Sequence, residues 1–334
     1  MTAAPPVDLA PFGLAVGHAS DVAGGTGCTV VRGVDGPFRA AAAVLGRATG
    51  SRELAVLAPE HLVDRVDALL LTGGSAYGLD AAAGVMRWME ARGRGFDVGA
   101  GVVPIVPAAV VFDLAPCGRF DARPTPEMAY DACAHASPLV VEQGSVGAGT
   151  GTTVGKLLGA AGAMKGGFGA AVLGDGDDAC AALAVVNAFG DVRDAAGGIV
   201  AGALGPDGAF VDAARMLAAG TSAATRIADA SAPPLTNTTL CVVATRRALD
   251  RVALQQLARA ACAALHRRVT PCGTSFDGDI VFAIGPLATP SAAAPTPAEM
   301  LGLESRAAAA LELALERAVR YAVGRDGIPG LGDR

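Results

Sequence analysis

Two stretches in the C-terminal third carry residue types that could do chemistry. They are Leu235-Thr236-Asn237-Thr238-Thr239-Leu240 and Thr274-Ser275-Phe276-Asp277-Gly278-Asp279. The first reads as a self-cleavage site between Asn237 and Thr238 that would free Thr238 as a new N-terminus. An N-terminal Thr carries a hydroxyl nucleophile and an α-amine on one residue. The amine can serve as general base, so no histidine is needed. The chain has only His18, His61, His135 and His266, and none sits in a recognisable catalytic motif. The bland alternative is that Asn237-Thr238-Thr239 simply opens a β-strand, which Thr favours. Self-cleavage gains weight from the apolar run Leu240–Ala244 that follows, because a processed Thr238 would stand at the rigid end of a buried strand.

The second stretch offers two carboxylates two residues apart, directly before the apolar run Ile280–Ile284. Carboxylates this close couple, so one could hold a proton or orient an amine. The bland reading is a turn with solvated side chains. A calcium loop is excluded by its missing ligand positions. Other motifs fail on spacing. Gly73-Gly74-Ser75-Ala76-Tyr77-Gly78 lacks the G-x-S-x-G of a hydrolase nucleophile elbow and reads as a helix-entry turn. Gly147–Lys156 resembles a phosphate loop, but Leu157 follows Lys156 where a magnesium-binding hydroxyl is required. Asn187, at the end of an apolar run, is either a satisfied turn residue or an amide donor aimed at a developing oxyanion. Lys156 and Lys165 are the only lysines, and both lie in one glycine-rich stretch. A compact, tunable amine is not interchangeable with arginine, so a role for one of them is expected.

The elements that must position these groups follow from composition and periodicity. A chain of 334 residues, 52% hydrophobic and 17% charged, supports a large ordered core, in one large domain or two tightly packed halves. A net charge of −6 with no basic stripe gives no case for nucleic acid. The seven cysteines form no CxxC pair and no metal-ligand spacing with His, so neither metal nor cofactor is expected. Residues 1–16 lack a signal-peptide pattern, and Val102–Leu114 is too short to span a bilayer, so a cytoplasmic protein is expected. Strands are expected at Cys28–Arg32, Asp64–Leu71, Val102–Leu114 (with a proline-kinked entry), Ala181–Val186, Leu240–Ala244 and Asp279–Ile284. Helices are expected from Leu79 to Gly93, at Pro126–Ala136, Ala213–Ala219 and Ala248–His266, and at Pro297–Val323 with its proline at the start. Gly144–Gly169 reads as a loop system, Thr221–Pro234 as a surface segment leading to the cleavage site, and Leu287–Pro295 as a linker. Mixed strands and long apolar helices fit sheets covered by helices on both outer sides.

Taken together, Gly73–Ala81, Val102–Leu114, Gly144–Lys156, Met164–Gly167, Val185–Asn187, Asn237–Thr239 and Asp277–Asp279 resemble the L-aminopeptidase/D-esterase family. That family includes β-aminopeptidases and nylon-oligomer hydrolases. The resemblance extends from about residue 12 to 325. It implies an α+β fold, a four-layer αββα sandwich similar to N-terminal-nucleophile hydrolases. It also implies autocleavage into an α chain 1–237 and a β chain 238–334 that stay together. By motif match Thr238 is the nucleophile and Asn187 an oxyanion donor. Lys156 stands where the nylon-hydrolase branch keeps an active-site lysine, and Asp277 and Asp279 match that branch's paired aspartates. Aminopeptidase members use a Ser-x-Glu pair, to which Ser275-Phe276-Asp277 is the nearest equivalent. Phe112 replaces an active-site tyrosine of the nylon branch, a departure that bears on polyamide hydrolysis. Phe112, Ser275 and Tyr77 are the candidates for substrate contact. Implied further are a small peptide or amide substrate, no cofactor, and a homotetramer. Two rival readings are an acyltransferase resembling ornithine acetyltransferase and a non-catalytic small-molecule-binding homologue.

Overall fold

A computed structural model describes residues 4–220, 237–287 and 294–333. Ten strands form two five-stranded sheets. In chain order they are β1 (Leu14–Asp21), β2 (Thr26–Gly33), β3 (Arg39–Val44), β4 (Ser51–Arg52), β5 (Ala68–Thr72), β6 (Ala108–Val110), β7 (Gly167–Leu173), β8 (Cys180–Asn187), β9 (Thr238–Thr245) and β10 (Ile280–Gly285). The first sheet has the order β1-β2-β5-β6-β4 and the second β7-β8-β9-β10-β3. Neighbours are antiparallel except β5 with β6 and β9 with β10, which are parallel. Among the described residues there are five α-helices: α1 (Ala82–Glu90), α2 (Pro126–Ala134), α3 (Ala213–Ala218), α4 (Arg251–Arg268) and α5 (Pro297–Arg320).

The layering follows from side-chain alternation. Successive strand residues point to opposite faces. Ala181, Leu183 and Val185 of β8, with Leu240, Val242 and Ala244 of β9, pack against Val31, Leu69 and Leu71 of the first sheet. The alternate residues Ala182, Ala184, Val186, Cys241 and Val243 pack against Leu254, Leu257, Leu311 and Leu315 of α4 and α5. On the far side, Val30 and Leu70 of the first sheet meet Val85, Trp88 and Met89 of α1 and Ala129 and Cys133 of α2. The result is helix, sheet, sheet, helix, as expected. Both faces of β8 and β9 are covered, which is why their sequences read as continuous apolar runs rather than alternating ones.

Local chemistry sets the helix ends. Thr296 and Glu299 form a capping box at the start of α5 with Pro297 in the first turn. Asp250 caps α4 by accepting from Ala253 N–H. Close packing of α5 on β7 requires a missing side chain: a Cβ at Gly169 would lie 2.0 Å from the Ala314 carbonyl oxygen.

Three expectations change in detail. The run Val102–Leu114 is not one strand. Val102–Val103 pairs with Phe96–Asp97, and only Ala108–Val110 joins the first sheet. Pro104 and Pro107 lie between, and proline lacks the ladder donor that a continuous strand needs. The run Asp64–Leu71 is extended into a strand only from Ala68. The α-helix expected from Leu79 starts at Ala82, after a 3-10 turn over Ser75–Ala81. The segment Thr221–Pro234, and residues 288–293 of the expected linker, lie outside the described residues. Among the described residues no helix is long and apolar enough to cross a membrane.

Candidate active site

The site forms where three neighbouring strands of the second sheet end together. β8 and β9 are antiparallel and in register from Cys180 opposite Thr245 to Asn187 opposite Thr238. Asn187 shares the face of Val185, and Thr238 that of Leu240, so both side chains point into the layer between the sheets, at its rim. Both are buried. Parallel pairing of β9 with β10 brings the loop before β10 alongside, with Asn237 bridged to Asp277. Residues 40 positions apart in sequence, Asn237 and Asp277, are thereby placed beside one peptide bond.

That bond is Asn237–Thr238. Its carbonyl oxygen accepts the Thr238 hydroxyl at 2.6 Å and the Gly278 N–H at 2.8 Å. Gly278 has to be glycine here, because a Cβ would lie 2.7 Å from Thr238 Oγ1 and 2.8 Å from the Ala48 carbonyl oxygen. The segment after β3 braces this loop: Ala48 N–H donates to the Asp277 carbonyl at 3.0 Å and Leu45 N–H to the Asp279 carbonyl at 2.9 Å. The Asn237 side chain is different. Its amide nitrogen and oxygen are buried without a hydrogen-bond partner among the described residues.

The two aspartates take separate stations. Asp279 accepts Thr239 N–H at 2.6 Å and Gly273 N–H at 2.8 Å. Asp277 accepts Thr274 N–H at 2.8 Å. Burial pushes the Asp279 carboxyl up to about 6, and the neighbouring Asp277 adds to the rise. Burial also raises Asp277, while hydrogen bonds from Thr274 and the charge of Lys156 oppose it. Two carboxylates sharing a dry corner resist full ionisation.

Asn187 is fixed from several sides. Its Oδ1 accepts Lys156 Nζ at 2.9 Å and Thr153 N–H at 3.1 Å. Lys156 also donates to the Asn187 carbonyl at 3.1 Å. With Oδ1 occupied by donors, Nδ2 is the end left to donate, and it reaches the Phe112 carbonyl at 3.0 Å. Burial lowers the Lys156 ammonium to about 7, with Asp277 pulling the other way.

The structure therefore gathers Thr238, Asn187, Lys156, Asp277, Asp279 and the backbone of Phe112. Phe112 itself is half-buried. Ser275 belongs to the same loop as Asp277 but is exposed. Tyr77 is exposed too, and its described partners are Arg123, 3.5 Å from its ring centre, and Phe120. Neither Ser275 nor Tyr77 has a described contact with Thr238 or Asn187. Among the described residues no three His, Cys, Asp or Glu side chains group as a metal site would require.

Sequence reading missed the Gly278 N–H, because a backbone donor leaves no residue-type signal. It also missed Asp113. This side chain is fully buried beside the site, accepting Gly74 N–H at 2.6 Å and the Thr26 hydroxyl at 2.7 Å. Burial pushes it up to about 6, against those bonds and the charge of Lys165. A lone charge inside the run Val102–Leu114 was the available signal.

Comparison with known proteins agrees with this fold. The model of the family described as Peptidase family S58 matches residues 10–329. An uncharacterized aminopeptidase of Mycobacterium tuberculosis (strain ATCC 25618 / H37Rv) is 44% identical over 254 residues, covering 75% of this chain and 70% of the relative. A 6-aminohexanoate-oligomer endohydrolase of Kocuria sp. (strain KY2) is 32% identical over 281 residues, covering 81% of this chain and 72% of that protein. Among solved structures, a Burkholderia sp. β-aminopeptidase superimposes with a TM-score of 0.68 at 19% identity, covering 99% of this chain and 93% of the other. The L-aminopeptidase D-Ala-esterase/amidase of Ochrobactrum anthropi, described as a variant of the N-terminal-nucleophile hydrolase fold, also gives 0.68, at 18% identity over 96% of this chain and 88% of its own. The two structural likenesses carry the fold.

Proposed function

The chain belongs to peptidase family S58, and from that premise we propose that it is an autoprocessed amidohydrolase with Thr238 as its nucleophile. One observation carries the reading: the Asn237 carbonyl oxygen is held by both the Thr238 hydroxyl, at 2.6 Å, and the Gly278 N–H, at 2.8 Å. In the self-cleavage step Thr238 Oγ attacks the Asn237 carbonyl carbon, and the Gly278 N–H stabilises the negative charge that develops on oxygen. Collapse breaks the carbon–nitrogen bond. The hydroxyl proton ends on the new amine, and the Asn237 acyl group is left as an ester on Oγ. Water hydrolyses the ester, giving a carboxylate on Asn237 and a free amine and hydroxyl on Thr238. With no partner among the described residues, the buried Asn237 amide would raise the energy of the uncut chain by about 1–3 kcal/mol and so favour release.

In turnover the Thr238 amine accepts the proton of its own hydroxyl as Oγ attacks a substrate amide or ester carbonyl. Asn187 Nδ2 donates to the developing oxyanion. The amine then protonates the leaving group, and water resolves the acyl-enzyme. A neutral base is required, and a free α-amine ordinarily titrates at about 7.7–8.0. Two fully charged carboxylates beside it would hold it protonated. The raised Asp277 and Asp279 carboxyls soften that effect. A small peptide, amide or ester is the proposed substrate, with the apolar Phe112 at its entry. The proposal extends to a homotetramer of processed protomers, readable by light scattering.

Mass spectrometry of the purified protein tests the scheme. Expected are two pieces, residues 1–237 and 238–334. Thr238→Ala should stay whole because no hydroxyl is left to attack, whereas Thr238→Ser should still split. Normal cutting of Thr238→Ala at the same bond sinks the scheme. A panel of aminoacyl amides and esters then reads substrate class.

A further inference from the structure

Lys156 Nζ grips Asn187 directly, whereas Lys165, the other lysine, grips main-chain carbonyls. Lys165 is 1% exposed, among the most deeply buried large side chains in the protein. Its ammonium donates to two main-chain carbonyls, Thr150 at 2.9 Å and Thr152 at 2.7 Å. A buried ammonium that only needed partners could take them from any nearby loop. These two carbonyls belong to the segment that grips Asn187. The peptide joining Thr152 to Thr153 has two ends. Its carbonyl accepts Lys165 Nζ and Gly166 N–H, the latter at 3.0 Å. Its N–H, on the opposite side of the same planar unit, donates to Asn187 Oδ1 at 3.1 Å.

We propose that Lys165 is a positioning residue for catalysis, acting on the Asn187 amide through the Thr152–Thr153 peptide. The inference rests on Asn187 being the oxyanion donor. Two physical effects run along this path. The first is geometric: a peptide whose carbonyl is pinned at one end cannot rotate its N–H away at the other, so Asn187 Oδ1 keeps its partner and Nδ2 stays on the Phe112 side. The second is electrostatic: a cation on the carbonyl polarises the peptide, strengthens its N–H as a donor, and through Oδ1 strengthens Nδ2 in turn. In a dry interior such a chain of amides is more effective than in water.

The surroundings keep the ammonium in place. A Cβ at Gly151, between the two gripped carbonyls, would lie 1.9 Å from the Gly25 carbonyl oxygen and 2.9 Å from Asp113 Cβ, so the loop is clamped on its other side. Asp113 in turn is tied to Thr26 and Gly74. Burial lowers Lys165 to about 8, with Cys117 and Asp113 raising it, Arg325 lowering it and Asp326 raising it, so the charged form predominates at neutral pH.

A double-mutant cycle on the processed enzyme tests this, with kcat and KM measured for one aminoacyl p-nitroanilide. Lys165→Gln keeps a donor and loses the charge. It is expected to lower kcat about tenfold, within the range of coupled hydrogen-bond networks, and to leave KM within about twofold. Lys165→Arg, which keeps the charge, should recover part of the loss. In an Asn187→Ala background, Lys165→Gln should change kcat by less than about twofold, because the group it acts on is gone. An equal loss in both backgrounds, a loss confined to KM, or an unchanged kcat overturns the inference. If neither Lys165 variant yields a folded, processed protein, Lys165 is a structural residue and the inference is likewise overturned. The reading it rests on fails separately, by Asn187→Ala retaining wild-type kcat.

Discussion

At one end of β8, β9 and β10 stand Asn187, Thr238 and, just before β10, Asp279. At the other end stand Cys180, Thr245 and Gly285. The strands between are the same, with the same two apolar faces. At the far end the charged groups are at least partly exposed: Arg246 and Arg247 pair with Asp177, Asp178 and Glu299. Burial pushes the Cys180 thiol up to about 12, so it stays protonated and inert. Thr245 Oγ1 accepts the Arg247 N–H at 3.1 Å. A cavity of about 190 Å³ lies there, lined by Phe12, Phe38, Thr245 and Ile284 among others. At the near end, a lysine, two aspartates, an amide and a hydroxyl are packed into the same kind of buried setting. Each of these groups is tied to backbone or to another polar group, while the neighbouring Asn237 amide has no partner among the described residues.

The difference shows where the fold tolerates cost. Burying a polar group without its hydrogen bonds is expensive, and burying a charge more so. On the proposed function, the near end carries that burden in return for donors and acceptors fixed before substrate arrives, which is what electrostatic stabilisation of a transition state needs. The far end closes the strands with minimal chemistry.

The strongest challenge to this contrast within the intact nucleophile is at Asn187. Asn187→Ala should lower kcat by roughly 10²–10³, with little change in KM. Cys180→Ala, on the same strand at the other end, should leave kcat unaltered. Loss through KM alone would make Asn187 a substrate-binding residue and blur the distinction between the two ends.

A pH series on Asp279 sharpens the contrast next. Its carboxyl in the fold is raised to about 6, above the unperturbed value of about 3.9. Between these values the folded state holds a proton that the unfolded chain has released. Stability therefore falls as pH rises through that window, and the penalty is complete above it. The melting temperature of the wild type, relative to Asp279→Asn, should fall from about pH 4 to about pH 6.5. The acid limb of the activity profile should shift in the same variant. A difference in melting that is flat with pH would return Asp279 to the status of an ordinary turn carboxylate.

The smallest effect is expected at Thr245. Thr245→Val keeps the shape and removes one acceptor, so denaturant titration should show a loss of about 0.5–1.5 kcal/mol. Kcat should stay within about twofold of the wild type, since the far end takes no part in the chemistry. A large kcat loss would mean that the two ends are coupled through the strand.

Much of this was legible in the chain order of residue types. The doubly buried strands announced themselves as unbroken apolar runs, and α5 by its proline-led start. Thr238 stood out as a candidate nucleophile that would need no histidine, Asp277 and Asp279 as a close pair, and Lys156 and Lys165 as lysines in an arginine-rich chain. Those signals are local, because periodicity, capping and pairing within a few residues are local physics. Tertiary structure alone decided the rest. Parallel pairing of β9 with β10 set the Gly278 N–H on the Asn237 carbonyl, and backbone donors are identical in every residue but proline. The packing of the glycine-rich loop set which lysine touches Asn187 directly and which reaches it through a peptide. It also decided that Ser275 and Tyr77, plausible by type, face solvent. Such outcomes depend on contacts between residues far apart in sequence, and no window along the chain contains them.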